Sequence, residues 1–177
     1  MRFFDLHVKF EFKDFQTFGF HNIGVNNSTI IEVVVNNSNQ LSKKIANKIN
    51  IVNSTSVELL KKGIKKFDLV YFPGFYLDST LIRAVAENKK AFEIPISDIL
   101  NVSGIKRAYI MGRIRQFLRL CNRSHASYVL TSRAKDTLEV KAPSEMIAIG
   151  EILGLTKDQA IRAITETPES ILRKVLR

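Results

Sequence analysis

The chain has 177 residues, 45% hydrophobic and 25% charged, which is the size and composition of one globular domain spanning 1–177. Its single cysteine, Cys121, excludes an intramolecular disulfide, and no apolar run has the length of a membrane span or the form of a signal-peptide core, so a cytoplasmic protein without a membrane partner is expected. A formal charge of +10 and a pI near 9.8 point away from basic substrates and towards a polyanionic partner.

The opening "FFDLHVKFEF" alternates polar Asp5, His7 and Lys9 with apolar neighbours and predicts a first strand over Phe3–Phe10. Gly19–Asn27 reads as coil. Further strands are predicted at Thr29–Val35, Ile49–Asn53, Leu69–Phe72, Ala91–Ile94 and Tyr128–Thr131. "TIIEVVV" and "DLVYF" are continuous apolar runs of the kind buried on both faces of a parallel sheet. Between them, helical patterns cover Gln40–Lys48, Ser56–Lys65 and Leu77–Asn88. This alternation predicts a parallel α/β architecture, with a closed or nearly closed barrel preferred over an open sheet although the chain is small for one.

"GIKRAYIMGRIRQFLRLCNR" reads as one helix over Gly104–Arg123, with Ile110, Ile114, Phe117, Leu118 and Cys121 on its core face. Arg115, Arg119 and Arg123 recur every four residues on one border, and Lys106 and Arg113 fall on the other. From Ile99 to Lys135 there is no acid, yet Lys106, Arg107, Arg113, Arg115, Arg119, Arg123, Arg133 and Lys135 lie in that window. Eight basic residues without counter-charges fit RNA phosphates better than a solvated face. The scarcity of exposed aromatics in the strand-rich pattern favours recognition of RNA backbone and shape over base reading. Arg133 and Lys135 directly follow a strand and are expected to be exposed at one rim of the barrel. The end of the chain is predicted helical over Pro143–Leu153, Lys157–Ile164 and Pro168–Leu176, from the "KAPSEM", "TKDQ" and "TPES" start signals.

Enzymatic motifs are sparse. There is no G-x-S-x-G, no phosphate-binding glycine loop and no zinc-type cysteine pair. An Asp-x-His-x-His strand would open a metal hydrolase, but Lys9 replaces the second histidine and repels any cation held at Asp5 and His7. The three histidines, His7, His21 and His125, are dispersed. Cys121 lies in the core pattern of its helix and reads as an inert thiol. The enzyme alternative is a metal-dependent phosphoesterase using Asp5, His7, Glu93 and His125. A generic RNA-binding scaffold protein is the third class.

"FFDLHVKF", "FDLVYFP", "KAFEIPISDIL" and above all "SYVLTSRAKDTLEVKAPSEMIAIGEILGLTKDQAIRAITETPESIL", Ser127–Leu172, together resemble the archaeal ribonuclease P protein component 3 family, related to a subunit of the eukaryotic nuclear enzyme. The resemblance implies a small or incomplete TIM-barrel-like fold of the polymerase and histidinol phosphatase type, with the hydrolase metal site not kept. It implies a non-catalytic subunit that supports the catalytic RNA of ribonuclease P in removing the 5′ leader of precursor tRNA. It also implies pairing with the family's component 2 and other ribonuclease P proteins. No cofactor is implied. Lys141 stands where relatives often carry arginine and joins the eight residues of the acid-free window as an expected RNA contact.

Overall fold

The computed structural model describes residues 1–42 and 45–175. Strand β1 (Phe4–Val8) pairs in parallel with β2 (Asn22–Val25). Strands β3 (Ile30–Val34), β4 (Ile49–Asn53), β5 (Leu69–Tyr71), β6 (Ala91–Pro95) and β7 (Ser127–Thr131) form a second parallel sheet in chain order. Two joints bend these sheets into a ring. The Arg133 amide donates to the His7 carbonyl at 2.9 Å and the Lys9 amide to the Ala134 carbonyl at 2.8 Å, so the chain leaving β7 runs beside β1. On the other side a single parallel bridge, Asn26 to Ile30, joins β2 to β3. The result is a small, nearly closed, all-parallel barrel.

Strand β2 lies inside the segment expected to be coil. Four residues flanked by Asn and His give no periodic signal, and its register depends on Gly24. A Cβ built there would stand 2.0 Å from the Leu6 carbonyl oxygen and 2.5 Å from Ile30 Cδ1, so only glycine lets β1 and β2 approach. The turn from β2 to β3 holds no crossover helix: the Thr29 hydroxyl accepts from the Val25 amide at 2.7 Å and Asn27 sits at φ 63°.

Helices α1 (Val57–Gly63) and α2 (Ser79–Glu87) start at Ser56 and Asp78, whose side chains accept the Leu59 and Leu81 amides. The one-turn helix α3 (Ser97–Leu100) leads into α4 (Gly104–Arg123), whose limits are those predicted. Helices α5 (Pro143–Ile152), α6 (Lys157–Ile164) and α7 (Glu166–Val175) complete the described chain. Glu145 accepts the Ala142 amide at 2.8 Å, and Thr156 and Gln159 form a reciprocal capping box. Leu176, the last residue of the final predicted helix, lies outside the described residues.

The helix predicted over Gln40–Lys48 is a correction. A 3-10 turn occupies Ser38–Ser42, residues 43–44 lie outside the described residues, and 45–48 are not helical. Asn50 explains this: its carboxamide accepts the Ile45 amide at 2.8 Å and donates to the Ile45 and Lys48 carbonyls. A side chain that satisfies those backbone groups removes the reason for a helix. The core is continuous around the barrel, and α4 is locked to β6 through Phe92 and Phe117, whose rings meet edge to face at 4.9 Å.

Candidate nucleic-acid interface

The barrel interior is polar, and β1, β3, β5, β6 and β7 all contribute. Asp5 and His7, two apart on β1, both point inward and are fully buried. Glu93 in the middle of β6 accepts from His7 Nδ1 at 2.7 Å, from the Thr131 hydroxyl at 2.9 Å and from Arg133 Nε at 3.0 Å. Arg133 Nη2 also reaches the second Glu93 oxygen, and Glu32 of β3 at 2.9 Å. Its guanidinium lies 4.1 Å above the Tyr71 ring, while the Tyr71 hydroxyl donates to Asp98 at 2.7 Å. Burial opposes ionisation of Glu93, but attraction to His7 and Arg133 outweighs it and holds the carboxyl well below its ordinary range. Asp5 accepts the His7 and Ser132 amides at 3.2 and 3.1 Å, yet burial dominates there and pushes its carboxyl up to about 6.

Arg133 is therefore not at the exposed rim where the sequence reading put it. It is 5% exposed, at φ 48°, and its charge is spent on two glutamates. The sequence signal was its position two residues past a strand, which fits an interior turn equally well; the informative partners, Glu32 and Glu93, are 101 and 40 residues away. Of the set Asp5, His7, Glu93 and His125, the side chains of His7 and Glu93 bond to each other, Asp5 accepts the His7 backbone amide, and His125 joins none of them. His125 is exposed beside Tyr128, Gln159 and Arg162 in a groove at the opposite, N-terminal end of β7. Among the described residues no three His, Cys, Asp or Glu side chains are placed to hold a metal ion. A guanidinium fills the space between the carboxylates instead. Cys121 is buried, and burial pushes its thiol far above the ordinary value, as expected of a core residue.

The other cations lie outside the barrel. Ile114, Phe117, Leu118 and Cys121 of α4 are buried and Ile110 is partly so, which is the predicted core face. Lys106, Arg119 and Arg123 are exposed and make no ion pair among the described residues. Arg115 donates to the Ile152 carbonyl at the end of α5 at 2.9 Å, and so ties two helices together. Arg107 caps α3, donating to the Ile99, Val102 and Leu100 carbonyls. Arg113 is half-buried against Tyr76 and Tyr109. Lys135 is exposed, as expected; Lys141 is half-buried and reaches the Leu138 carbonyl at 3.4 Å. The structure thus separates free cations from those that brace the fold, a division that residue spacing alone cannot make.

The family model described as RNase P subunit p30 matches residues 15–177. The chain belongs to this family. The p30 assignment agrees with curated relatives: ribonuclease P protein component 3 of Methanosarcina acetivorans is 30% identical over 155 residues, covering 81% of this chain and 65% of that protein. The same component of Methanococcoides burtonii is 28% identical over 155 residues, covering 81% of this chain and 64% of that protein. The chain spans just under two thirds of the length of these p30 relatives. Among solved structures, a chain of the cryo-EM structure of archaeal ribonuclease P with mature tRNA superposes with a TM-score of 0.74, at 19% identity and over 97% of this chain and 80% of that one. A Xaa-Pro dipeptidase with bound methionine superposes at 0.57, with 16% identity, over 88% of this chain and 44% of that enzyme. These structural likenesses describe the fold, which for this p30 chain is a TIM-barrel-like α/β barrel followed by helices.

Proposed function

We propose that the protein is a non-catalytic subunit of ribonuclease P that binds the catalytic RNA and supports removal of the 5′ leader from precursor tRNA. The observation that carries this reading is the surface of α4, where Arg119 and Arg123 on one border and Lys106 on the other stand exposed, with no ion pair among the described residues, in a window that holds no acid. Arg119 and Arg123, four residues apart on one face, repel one another, and phosphates relieve that repulsion. Membership of the p30 family supports ribonuclease P RNA as the nucleic acid bound. In this reading precursor tRNA, component 2 and the other ribonuclease P proteins are its partners, and its location is the cytoplasm. Among the described residues no helix is long and apolar enough to cross a membrane. In this reading the barrel interior contributes structure rather than chemistry, because Arg133 neutralises Glu93, the carboxylate that the enzyme alternative needs, together with Glu32.

The test is binding of ribonuclease P RNA by the wild type and by a Lys106→Gln, Arg119→Gln, Arg123→Gln variant across a salt series. Loss of three phosphate contacts lowers the slope of log affinity against log salt by roughly two to three. Reconstituted leader cleavage should fall most at low magnesium. Equal slopes and equal activity would overturn the reading.

A further inference from the structure

The first six residues of α4, Gly104–Tyr109, are all exposed, so this end of the helix stands clear of the barrel. It projects from the face where the strands end, because α4 follows β6 and α3, and the loop after β5 rises beside it. That loop carries Tyr76, 52% exposed, and α4 carries Tyr109, 63% exposed. Between them lies Arg113, its guanidinium carbon 3.9 Å from the centre of the Tyr76 ring and 5.4 Å from that of Tyr109. Arg113 Nη1 also donates to the Tyr109 hydroxyl at 3.3 Å. Gly74 makes the arrangement possible: at φ 78° it turns the chain, and a Cβ there would strike Tyr76 Cε2 at 2.9 Å.

We propose that the Tyr76–Arg113–Tyr109 row is a stacking site for an unpaired nucleotide of RNA. The proposal deepens the ribonuclease P reading and rests on it. Of the four tyrosines, Tyr71 is buried in the barrel and Tyr128 between β7 and the end of α4, so both exposed ones meet at this point. A planar guanidinium laid on an aromatic face continues a stack of rings, and nucleobases extend such stacks whatever their sequence. Lys106, Tyr109 and Arg113 share one stripe at three- and four-residue steps, which places a phosphate-binding cation one turn from the ring. Two acids on neighbouring elements are engaged elsewhere: Asp78 caps α2 and Asp98 accepts from Tyr71. A partner protein could instead cover Ile105 and Tyr109, but an acid-free basic stripe favours the nucleic acid.

The chain contains no tryptophan, so Tyr109→Trp introduces a single reporter. We expect an unpaired oligoadenylate of about ten nucleotides to quench its emission, and a hairpin duplex of equal charge to do so far less. Tyr109→Ala should weaken oligoadenylate binding by about 5- to 150-fold with the salt slope unchanged, while Tyr109→Phe restores it. The melting temperature should not move, because the ring is exposed. Wild-type oligoadenylate affinity in Tyr109→Ala, or quenching by the duplex equal to that by the oligonucleotide, would overturn the stacking site. So would unaltered RNA binding together with lost association of component 2, which would make the row a protein contact. An unchanged salt slope in the Lys106/Arg119/Arg123 variant would overturn the broader reading instead, so the two failures are separable.

Discussion

Replacing Arg133 with methionine removes the guanidinium that bridges Glu93 and Glu32 while keeping an unbranched side chain. Glu93 is fully buried, and its remaining polar partners are His7 and Thr131. Removing one member of a buried pair costs roughly 3–5 kcal/mol because the other charge is left uncompensated. The guanidinium also leaves the Tyr71 ring, a contact of about 1–2 kcal/mol when desolvated. A loss of about 4–7 kcal/mol is therefore expected. For a chain of this size each kcal/mol moves Tm by roughly 2–4 °C, so calorimetry should record a fall of about 8–28 °C. The sign of the pH dependence follows from Glu93. In the wild type its depressed pKa adds stability above the ordinary 4.5, lost only as pH falls through the depressed value. In the variant, burial raises the same carboxyl, which gains stability as it takes up a proton. The gap between the two proteins should be widest near neutral pH and narrow on acidification. The double variant Glu93→Gln, Arg133→Met should recover much of the loss, since the fully buried carboxylate is gone and only the partly exposed Glu32, still bonded to Asn53, loses its cation. A fall below about 3 °C, or losses that simply add in the double variant, would refute this account of the interior.

Two further outcomes follow from the same geometry. Asp5, raised from 3.8 to about 6, binds its proton more tightly when folded, so its contribution is fully present below 3.8 and lost as pH rises through 6. Asp5→Asn, which can still accept the His7 and Ser132 amides, should raise Tm at pH 7.5 and leave it level or lower at pH 4; a pH-independent effect would contradict the burial argument. Gly24→Ala forces β1 away from β2, because the obstacle is the Leu6 backbone; its cost should reach the upper end of roughly 1–3 kcal/mol or exceed it. An unchanged unfolding midpoint would show that the two strands need not approach as closely as they do.

Most of the barrel was legible. Strands β3 to β7 are short segments rich in Ile, Val, Leu and Phe set between caps and turns, and burial on both faces of most of them keeps polar interruptions to single residues such as Glu32, Asn50 and Glu93. Helices α4 and α6 begin and end where their sequence signals put them. What escaped was decided by contacts distant in sequence. Strand β2 exists because β1 offers it a partner, and Asn22–Val25 has no pattern of its own. The non-helical stretch before β4 depends on one carboxamide, Asn50. At the surface, the charges of α4 were visible but their employment was not: Arg107 and Arg115 hold carbonyls of neighbouring helices, while Arg119 and Arg123 stand free. The stacking row was hidden because Tyr76 and Arg113 are 37 residues apart and nothing in either segment names the other.

The closure of the ring has a consequence for how the protein is made. Asp5 on β1 accepts the amide of Ser132, 127 residues further along, so β1 waits for a partner made much later. At a translation rate of about 5–20 residues per second the delay is roughly 6–25 s, during which β1 has no β7 beside it. An extended segment carrying Phe3, Phe4, Leu6, Val8 and Phe10 is a template for association with other nascent chains. The alternate positions hold Asp5, His7 and Lys9, which keep the waiting strand hydrated and break the apolar run. The residues that make an interior ion cluster in the finished barrel thus protect the same segment before the barrel exists.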